Sequence, residues 1–260
     1  MKKWTGERLE TFVVNETTVE HLHRYSIVQP HVSGKIVVDI ACGEGYGSNL
    51  LAGDAQKVIG IDIDEEVINH AKSKYRKKNL SFLTGSADKI PISDHSVDIV
   101  VSFETIEHHD KHQEMLLEIK RILKPDGFLI ISSPEKRDEK SNNPYHIKEL
   151  TSAEFKQLLK FFFNYTMFYN QKVVLGSLII SEANLAKEFE SHEGNFSELK
   201  CEKGFKDSVF NICFASDTEM PDLGNSFFNG SEILIKHYVS PYTNSLAYRL
   251  IKKVKSLIKW

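Results

Sequence analysis

Short apolar runs alternate with longer amphipathic stretches between residues 36 and 131. Short β-branched and aliphatic runs are typical of strands buried on both faces, and the longer stretches are typical of helices packed against such strands. The predicted strands are 36–40, 58–61, 81–83, 99–102 and 128–132, and the predicted helices are 46–51, 65–78, 113–123 and 152–162. This alternation predicts an open α/β fold, with a mainly parallel sheet and helices on both faces.

Local signals mark the ends of some predicted elements. Thr151 and Glu154 have the spacing of a capping box, which begins a helix. The sequence Lys-Pro-Asp-Gly at 124–127 is typical of a turn that ends one helix and opens the next strand. Beyond residue 163 the alternation stops, and the remaining predicted strands are 165–169 and 209–215, the last of which we expect to run antiparallel.

The chain is predicted to have three parts. Residues 1–35 form an N-terminal cap, and residues 36–217 form the main domain with an insertion at about 170–208. We expect this insertion to be a lid over the substrate pocket, because loops at the carboxyl edge of such sheets usually carry specificity. Residues 218–260 form a C-terminal extension that ends in a basic amphipathic helix at 246–260. This helix packs on its own domain or contacts an anionic membrane surface or a partner enzyme.

The composition narrows the class of protein. Of the 260 residues, 27% are charged and 41% are hydrophobic, as in an ordinary globular protein. A formal net charge of -3 gives no attraction to polynucleotides, so we expect no nucleic-acid partner. The three cysteines are odd in number and widely spaced, which predicts neither a disulfide framework nor a zinc site and favours a cytoplasmic location. No run is long and apolar enough to predict a signal peptide or a transmembrane segment.

A glycine-rich loop follows the first predicted strand. Gly43, Gly45 and Gly47 lie between this strand and the next helix, where glycine lets the backbone turn sharply and approach a ligand. Asp39 lies inside the strand, where a carboxylate is costly unless a positive group, such as a ligand's ammonium, meets it. Asp62 ends the second strand, where a carboxylate can accept hydrogen bonds from both hydroxyls of a ribose.

This pattern resembles the class I S-adenosylmethionine-dependent methyltransferases over about residues 20–165. The resemblance implies a Rossmann-like sheet, with S-adenosylmethionine as the methyl donor and the segment 86–88 beside its adenine. The donor-binding residues that it implies are Asp39, Ala41, Gly43, Gly45, Asp62, Ile63, Ser86, Ala87 and Asp88. A nicotinamide dinucleotide site and a purely structural turn are the alternatives, and the dinucleotide site does not explain Asp39.

Three titratable residues follow the fourth predicted strand. Glu104, Glu107 and His108 have spacings of three and four, so a helical turn that begins at Glu104 would bring their side chains together. Two carboxylates and an imidazole can bind a divalent cation, with manganese-like ions preferred over calcium. Alternatively, His108 acts alone as the general base that takes a proton from an acceptor hydroxyl. The pattern therefore predicts a catalytic cluster and leaves the presence of a metal open.

The Glu-x-x-Glu-His pattern is similar to that of ubiquinone-pathway O-methyltransferases and of small-RNA 3'-end methyltransferases. In those enzymes it implies a magnesium-type site beside the acceptor hydroxyl, and the RNA enzymes add a histidine ahead of the next helix. His146 stands in a matching context. The resemblance thus implies four metal ligands, Glu104, Glu107, His108 and His146, whereas many related small-molecule methyltransferases carry a similar Glu-His pair without a metal.

Two further groups of residues are notable for their position. His109 and His112 are interpreted as solvated histidines on a helix surface. The opening of the chain resembles bacterial methyltransferases encoded with surface-polysaccharide enzymes, in which the helix before the first strand caps the methionine end of the donor. This resemblance implies that His23, Arg24 and Tyr25 contact the donor, with Arg24 able to pair a carboxylate. The alternative is an amphipathic helix whose polar face is exposed to water.

Together these features predict methyl transfer from S-adenosylmethionine to an oxygen of a small polar acceptor. The resemblance favours a sugar nucleotide or a surface-glycan intermediate as the acceptor. N-methylation, a quinone precursor and an RNA end are the alternatives for the acceptor. A non-catalytic subunit that retains the cofactor fold is the alternative from a different class, but such a subunit would need neither the donor loop nor the Glu-x-x-Glu-His cluster.

Overall fold

Strands and helices alternate in the computed structural model, which describes residues 8–136, 143–173, 177–182, 190–194, 199–203, 209–220, 224–238 and 245–246. The strands are β1 (Ile36–Ile40), β2 (Lys57–Asp62), β3 (Leu80–Thr84), β4 (Val97–Ser102), β5 (Leu123–Pro134), β6 (Tyr165–Val173), β7 (Ser177–Ser181), β8 (Glu190–Gly194), β9 (Leu199–Lys203), β10 (Phe210–Ser216) and β11 (Ser226–Phe228). The helices are α1 (Glu16–Val28), α2 (Tyr46–Leu51), α3 (Glu65–Lys74), α4 (His112–Ile122), α5 (Ser152–Phe162) and α6 (Ser231–Tyr238), with short 3-10 helices at Gln29–His31 and Ile106–His108.

One mixed sheet contains nine of the described strands, in the order β11-β7-β6-β10-β5-β4-β1-β2-β3, while β8 and β9 pair separately. The five strands from β3 to β5 pair in parallel. β10 lies antiparallel between β5 and β6. This topology confirms the predicted Rossmann-like class and its antiparallel last strand. The chain reverses its direction of travel across the sheet between β1 and β4, and ligands bind at such a switch point, outside the carboxyl ends of the strands.

Alternation along the central strands supplies apolar side chains to both faces of the sheet. On one face, Val38 belongs to a core that includes Met115 of α4 and Phe155 of α5. On the other face, Val37 belongs to a core that includes Val28 of α1. Both faces of the central parallel strands are covered, as the short apolar runs predict.

The capping box at Thr151 is confirmed, whereas the predicted turn at 124–127 lies within β5, which already begins at Leu123. α2 and α5 have the predicted bounds, and the Thr151 side chain accepts a hydrogen bond from the Glu154 amide while the Glu154 carboxylate accepts one from the Thr151 amide. The prediction of a helix over 65–78 is too long, because α3 ends at Lys74. Tyr75 adopts an extended conformation, and its ring packs against Phe82 with 6.4 Å between ring centroids.

The region after α5 extends the sheet further than the sequence predicts. β6 continues to Val173, and β7 pairs with it in antiparallel register, so part of the predicted insertion at 170–208 is regular sheet. A lid over the substrate pocket stays a prediction. The predicted basic helix at 246–260 lies outside the described residues, apart from Leu246. Among the residues that the structure describes, we find no helix with the length and apolar character that crossing a bilayer requires.

Candidate functional site

The loop after β1 and the end of β2 form one hydrogen-bonded unit. The Cys42 amide donates to the carbonyl of Ile61 at 2.9 Å, and the Gly43 amide donates to Oδ2 of Asp62 at 3.0 Å. The other carboxylate oxygen of Asp62 accepts a hydrogen bond from the Asp64 amide at 3.0 Å. The predicted ribose-binding carboxylate therefore fixes the glycine loop against the neighbouring strand, and Asp62 is only 4% exposed.

Close packing explains two of the three glycines in this loop. Gly45 has a φ of +86°, and a Cβ there would lie 2.7 Å from Cε1 of Phe82. A Cβ on Gly47 would lie 1.9 Å from Cζ of Tyr25. Gly43 has a φ of +52° and open space around it, and Ala41 also has a positive φ of 56°. Left-handed conformations of residues other than glycine cost energy and cluster at functional sites.

Asp39 is a buried carboxylate whose partners are hydroxyl groups. It is 1% exposed, it accepts a hydrogen bond from Oγ of Ser48 at 2.6 Å, and the hydroxyl of Tyr25 lies 3.3 Å from each of its oxygens. Burial raises the pKa of Asp39 to about 7, although the hydrogen bonds from Ser48 and Tyr25 act in the opposite direction. No ion pair joins it to a cationic side chain in the described part of the chain. A positively charged ligand would supply the missing charge.

Helix α1 places its predicted donor-contacting residues in different environments. Tyr25 lies on the glycine loop and Asp39. Arg24 is completely buried, donates from Nε to Oε1 of Gln171 at 2.8 Å, and has Nη1 at 3.5 Å from Oε1 of Glu104. Arg24 therefore lies with residues of β4 and β6, on the other side of the switch point from the glycine loop.

His23 and Arg24 of α1 are buried, so the alternative of a helix face exposed to water is wrong for these two residues. His23 is 1% exposed, and its Nε2 lies 2.6 Å from Oγ of Ser226 in β11. The guanidinium of Arg24 stacks on the ring of Phe210, 4.1 Å from its centroid. The sequence did not predict this burial because the partners of the helix lie far along the chain, in β10 and β11.

The segment after β3 carries the three residues that the family resemblance places beside the adenine. The hydroxyl of Ser86 donates to the carboxylate of Asp88, which also pairs with Nζ of Lys111 at 2.5 Å. These hydrogen bonds, that of Lys111 first, lower the pKa of Asp88 to about 2. Ile63, at the end of β2, is 70% exposed and is accessible to a ligand.

Glu104 lies two residues after the end of β4 and has a positive φ of 50°. Its amide donates to Oγ of Ser132 at 3.1 Å, and that hydroxyl donates to Oε1 of Glu104 at 2.6 Å. The helical turn begins at Ile106, not at Glu104. The convergence expected from helical spacing therefore fails for Glu104, whose carboxylate is held by Ser132 and Arg24.

Three of the four residues predicted to bind a metal do lie together. Glu107, His108 and His146 each offer a ligand atom, and these atoms lie within 4.8 Å of one another. The amides of Ile147 and Lys148 donate to the carbonyl of Glu107 at 2.8 Å and 3.1 Å, which ties the segment before α5 to the 3-10 helix. One carboxylate and two imidazoles suit a manganese-like transition-metal cation, whereas magnesium prefers oxygen ligands.

Hydrogen bonds indicate which nitrogen carries the proton in each of the two imidazoles of this cluster. Nδ1 of His108 donates to the carbonyl of Tyr145 at 3.1 Å, and Nδ1 of His146 contacts the carboxylate of Glu149. In each neutral ring the proton therefore resides on Nδ1, and Nε2 carries the lone pair. Nε2 of His108 lies 4.0 Å from Oε1 of Glu107, which is 1% exposed. The arrangement can accept a proton or bind a cation.

The interpretation of His109 and His112 as solvated histidines is wrong. His112 is 5% exposed, and its Nε2 lies 2.7 Å from the carbonyl of His109. Both ring nitrogens of His109 are shielded from water and make no hydrogen bond in the described structure. The reason for the burial of His112 is that α4 begins at this residue and carries it on the same face as the buried Met115.

Sequence reasoning missed a set of contacts around Asp62 and Glu44. Arg8 places Nη2 at 3.3 Å from Oδ1 of Asp62 and Nη1 at 3.0 Å from Oδ2 of Asp64. The amide of Thr11 donates to Oε2 of Glu44 at 3.2 Å, and Nζ of Lys74 lies 2.6 Å from Oε1 of Glu44. Glu44, an acidic residue inside the glycine loop, was the signal from which these contacts could have been suspected. The sequence did not show which residues pair with it.

Comparisons with known proteins agree with this geometry. Residues 38–131 match the family described as a methyltransferase domain. A protein of Mycolicibacterium smegmatis, described as a probable S-adenosylmethionine-dependent methyltransferase, is 31% identical over 221 residues, which are 82% of this chain and 82% of that protein. A fatty-acid O-methyltransferase of the same strain is 28% identical over 127 residues, which are 45% of this chain and 46% of that protein.

A solved structure shares the fold. The S-adenosylmethionine-dependent methyltransferase of Thermotoga maritima superposes with a TM-score of 0.55 at 20% identity, over 78% of this chain and 91% of that chain. The sequence match to the M. smegmatis relative extends over most of both proteins, and the glycine loop with its two acids lies within the matched methyltransferase domain. The chain therefore belongs to the S-adenosylmethionine-dependent methyltransferases.

Proposed function

We propose that this methyltransferase methylates an oxygen of a small polar acceptor at the switch point between β1 and β4. The observation that supports the donor position is Asp39, whose buried carboxylate has hydroxyl partners and no ion-pair partner among the described residues. A donor with an ammonium and a sulfonium group supplies the positive charge that such a carboxylate lacks. The donor brings a methyl group that is already activated, so the task of the protein is orientation and exclusion of water.

The donor-side residues have separate tasks in this proposal. Tyr25 and Ser48 hold Asp39 in position through their hydroxyl groups. Asp62 accepts hydrogen bonds from the ribose hydroxyls, and the backbone of Gly43, where no side chain intervenes, allows close approach. The adenine lies beside the segment 86–88 and the exposed side chain of Ile63.

The acceptor is activated by the cluster of Glu107, His108 and His146. Nε2 of His108 carries a lone pair and takes the proton of the acceptor hydroxyl, while Glu107 stabilises the resulting imidazolium. The same three residues fit a manganese-like ion, which they would hold through one carboxylate and two imidazoles. Such an ion would supply positive charge beside the acceptor oxygen.

The acceptor that we propose is a sugar nucleotide or another sugar-containing intermediate, as the resemblance of the opening segment implies. A hydroxylated lipid is the second candidate. Tyr145 and Ile147, which flank His146, are 45% and 66% exposed, so some apolar surface lies beside the cluster. The fatty-acid O-methyltransferase among the relatives is compatible with this second candidate, although it matches less than half of either chain.

Calorimetric titration with S-adenosylhomocysteine is the first test of the donor site. We expect micromolar binding to the purified protein, and we expect chelation to leave it unchanged because the cluster lies on the acceptor side. A subsequent methyl-transfer screen compares a sugar nucleotide with a hydroxy fatty acid, each with chelator, magnesium or manganese. Activity that requires the ion supports the metal site, whereas equal activity with chelator assigns the proton transfer to His108 alone.

Replacement of His108 tests the acceptor side separately. His108→Ala is expected to reduce turnover by about 100-fold, because general-base catalysis is worth roughly that factor. Affinity for S-adenosylhomocysteine should stay unchanged, and His70→Ala, on the exposed surface of α3, is the matched control. Turnover equal to that of the control would show that another group accepts the proton.

A further inference from the structure

A segment ahead of α1 lies across the donor side of the site. We call residues 8–14 the strap. Its first residue, Arg8, pairs with Asp62 at 3.3 Å and with Asp64 at 3.0 Å. Three residues later, the amide and the hydroxyl of Thr11 donate to the two carboxylate oxygens of Glu44 at 3.2 Å and 3.3 Å. The strap therefore joins the ends of both strands that form the donor side.

The contact with Asp62 conflicts with the proposed role of this carboxylate. One oxygen of Asp62 already accepts a hydrogen bond from the Gly43 amide, and the other accepts one from the Asp64 amide. Arg8 also donates a hydrogen bond to this second oxygen, and Asp62 as a whole is only 4% exposed. Since the two amides belong to the backbone, Arg8, whose side chain is 41% exposed, is the partner that can move away.

We propose that the strap is a latch on the donor pocket, in which Arg8 and the donor's ribose compete for the carboxylate of Asp62. The ribose displaces Arg8 from Asp62. Arg8 keeps its ion pair with Asp64, which lies two residues further along the chain. The proposal rests on the proposed function, because it requires Asp62 to bind the ribose. The latch gives a role in donor binding to Arg8, which lies before the matched methyltransferase domain at residues 38–131.

Glu44 is the anchor of the latch. It lies inside the glycine loop but is only 7% exposed, and its carboxylate accepts hydrogen bonds from Thr11 and from Nζ of Lys74. Lys74 also donates to the hydroxyl of Thr11 at 2.6 Å, so the strap, the loop and α3 meet at one point. Because Glu44 is already paired with a cation, it binds the strap and not the donor.

The expected effect of the competition is modest and directional. A partly exposed ion pair changes an equilibrium constant by at most about fivefold. Loss of the competitor should therefore speed association of the donor by a factor of about three to five. Added salt screens the Arg8 ion pairs, so the wild-type association rate should rise with salt while the rate of a variant without Arg8 should not.

Stopped-flow measurement of S-adenosylhomocysteine binding tests the latch in Arg8→Ala, with Arg76→Ala as the matched control. Arg76 is an exposed arginine just after α3 that has no contact with Asp62 among those the structure describes. We expect faster association in Arg8→Ala only. A rate equal to that of Arg76→Ala overturns the latch, and slower association overturns it as well, because Arg8 would then assist the donor.

Two further measurements locate the competition. Equilibrium titration compares adenosine with 2',3'-dideoxyadenosine, and Arg8→Ala should improve affinity for adenosine only. An equal gain for both nucleosides would overturn competition for Asp62. Glu44→Gln, which weakens the anchor, should also speed association. If the wild-type protein binds neither S-adenosylhomocysteine nor adenosine, both the proposed donor site and the latch are wrong. If the wild-type protein binds them but the association rate of Arg8→Ala is unchanged, only the latch is wrong.

Discussion

The proposed donor side and the proposed acceptor side of this site are assembled in different ways. The donor side consists mainly of one continuous stretch, from Asp39 in β1 to Asp64 after β2, whose loop is closed by hydrogen bonds within that stretch. The acceptor side brings together Glu107 and His146 from separate segments. It also contains the buried contact of Arg24 with Gln171, which are 147 positions apart. The donor side is thus set by local sequence and the acceptor side by tertiary packing.

This difference predicts how each side responds to substitution. A change within the donor loop should act directly on donor binding, because the loop and the ligand share backbone groups. A change in the buried contacts of the acceptor side should act first on stability, because those contacts hold distant segments together. Three substitutions, in order of their expected effect on donor affinity, test this separation.

Gly47→Ala should have the largest effect. The added Cβ would lie 1.9 Å from Cζ of Tyr25, inside the ring that orients Asp39. Relief of this overlap requires Tyr25 to move, so we expect loss of measurable donor binding and a decrease of about 1–3 kcal/mol in the free energy of unfolding. Calorimetry with S-adenosylhomocysteine and urea denaturation measure the two effects.

Gly43→Ala is the comparison for that substitution. Gly43 has a positive φ but open space, so alanine there meets strain and no overlap. We expect it to lower the free energy of unfolding by only about 1 kcal/mol. Equal destabilisation by the two substitutions would show that the close approach of Tyr25 to Gly47 does not restrict the loop.

Asp39→Asn should have an intermediate effect on the donor. It removes the negative charge while keeping an oxygen for Ser48, and a charged hydrogen bond of this kind corresponds to a loss of donor affinity of about 10-fold to 100-fold. Affinity within a factor of about two of the wild type would mean that Asp39 does not meet the donor's charge.

The same substitution changes how stability depends on pH. Burial raises the pKa of Asp39 from 3.8 to about 7. The folded protein therefore binds this proton more tightly than the unfolded chain does. Protonated Asp39 stabilises the fold fully below pH 3.8, and this stabilisation is lost as the pH rises to about 7. Asp39→Asn lacks this loss, which is on the order of 4 kcal/mol. Urea denaturation at pH 5 and pH 8 should show a smaller decrease for the variant, and parallel pH profiles would contradict the buried charge.

Arg24→Lys should have the smallest effect on the donor. Lysine cannot reproduce the Nε contact with Gln171 or the stacking on Phe210, so the free energy of unfolding should fall by about 1–3 kcal/mol. Donor affinity should change by less than about threefold, because Arg24 lies with residues of the acceptor side. A tenfold loss of affinity would show instead that Arg24 reaches the donor and that the two sides are not separate.

The proximity of the residues on the proposed donor side could be predicted because the information for it is local. The spacing of Asp39, Gly43, Gly45 and Asp62 along adjacent strands determines their proximity once the strands pair in parallel. Short apolar runs and the capping box at Thr151 likewise act within a few residues. The fold class and most of its central elements follow from such signals.

The remaining site residues depend on contacts that spacing does not encode. Helical spacing failed at Glu104, because Ser132 and Arg24 hold it in a left-handed conformation. The burial of His112 depends on where α4 begins relative to the core. The role of Arg8 could not be predicted, since its partners lie 54 and 56 positions away. In each case the deciding partner is distant in the sequence.

The contacts of α1 have a consequence for the order in which the protein is completed during synthesis. This helix emerges early, but its buried polar groups find their partners in Gln171 and Ser226, 147 and 203 positions later. Long-range contacts of this kind slow folding, because a long loop must close before they form. The nascent chain up to β5 already contains the partners of Tyr25 and Val28, but His23 and Arg24 still lack theirs. The buried polar contacts of α1 therefore form only after the last strands have left the ribosome.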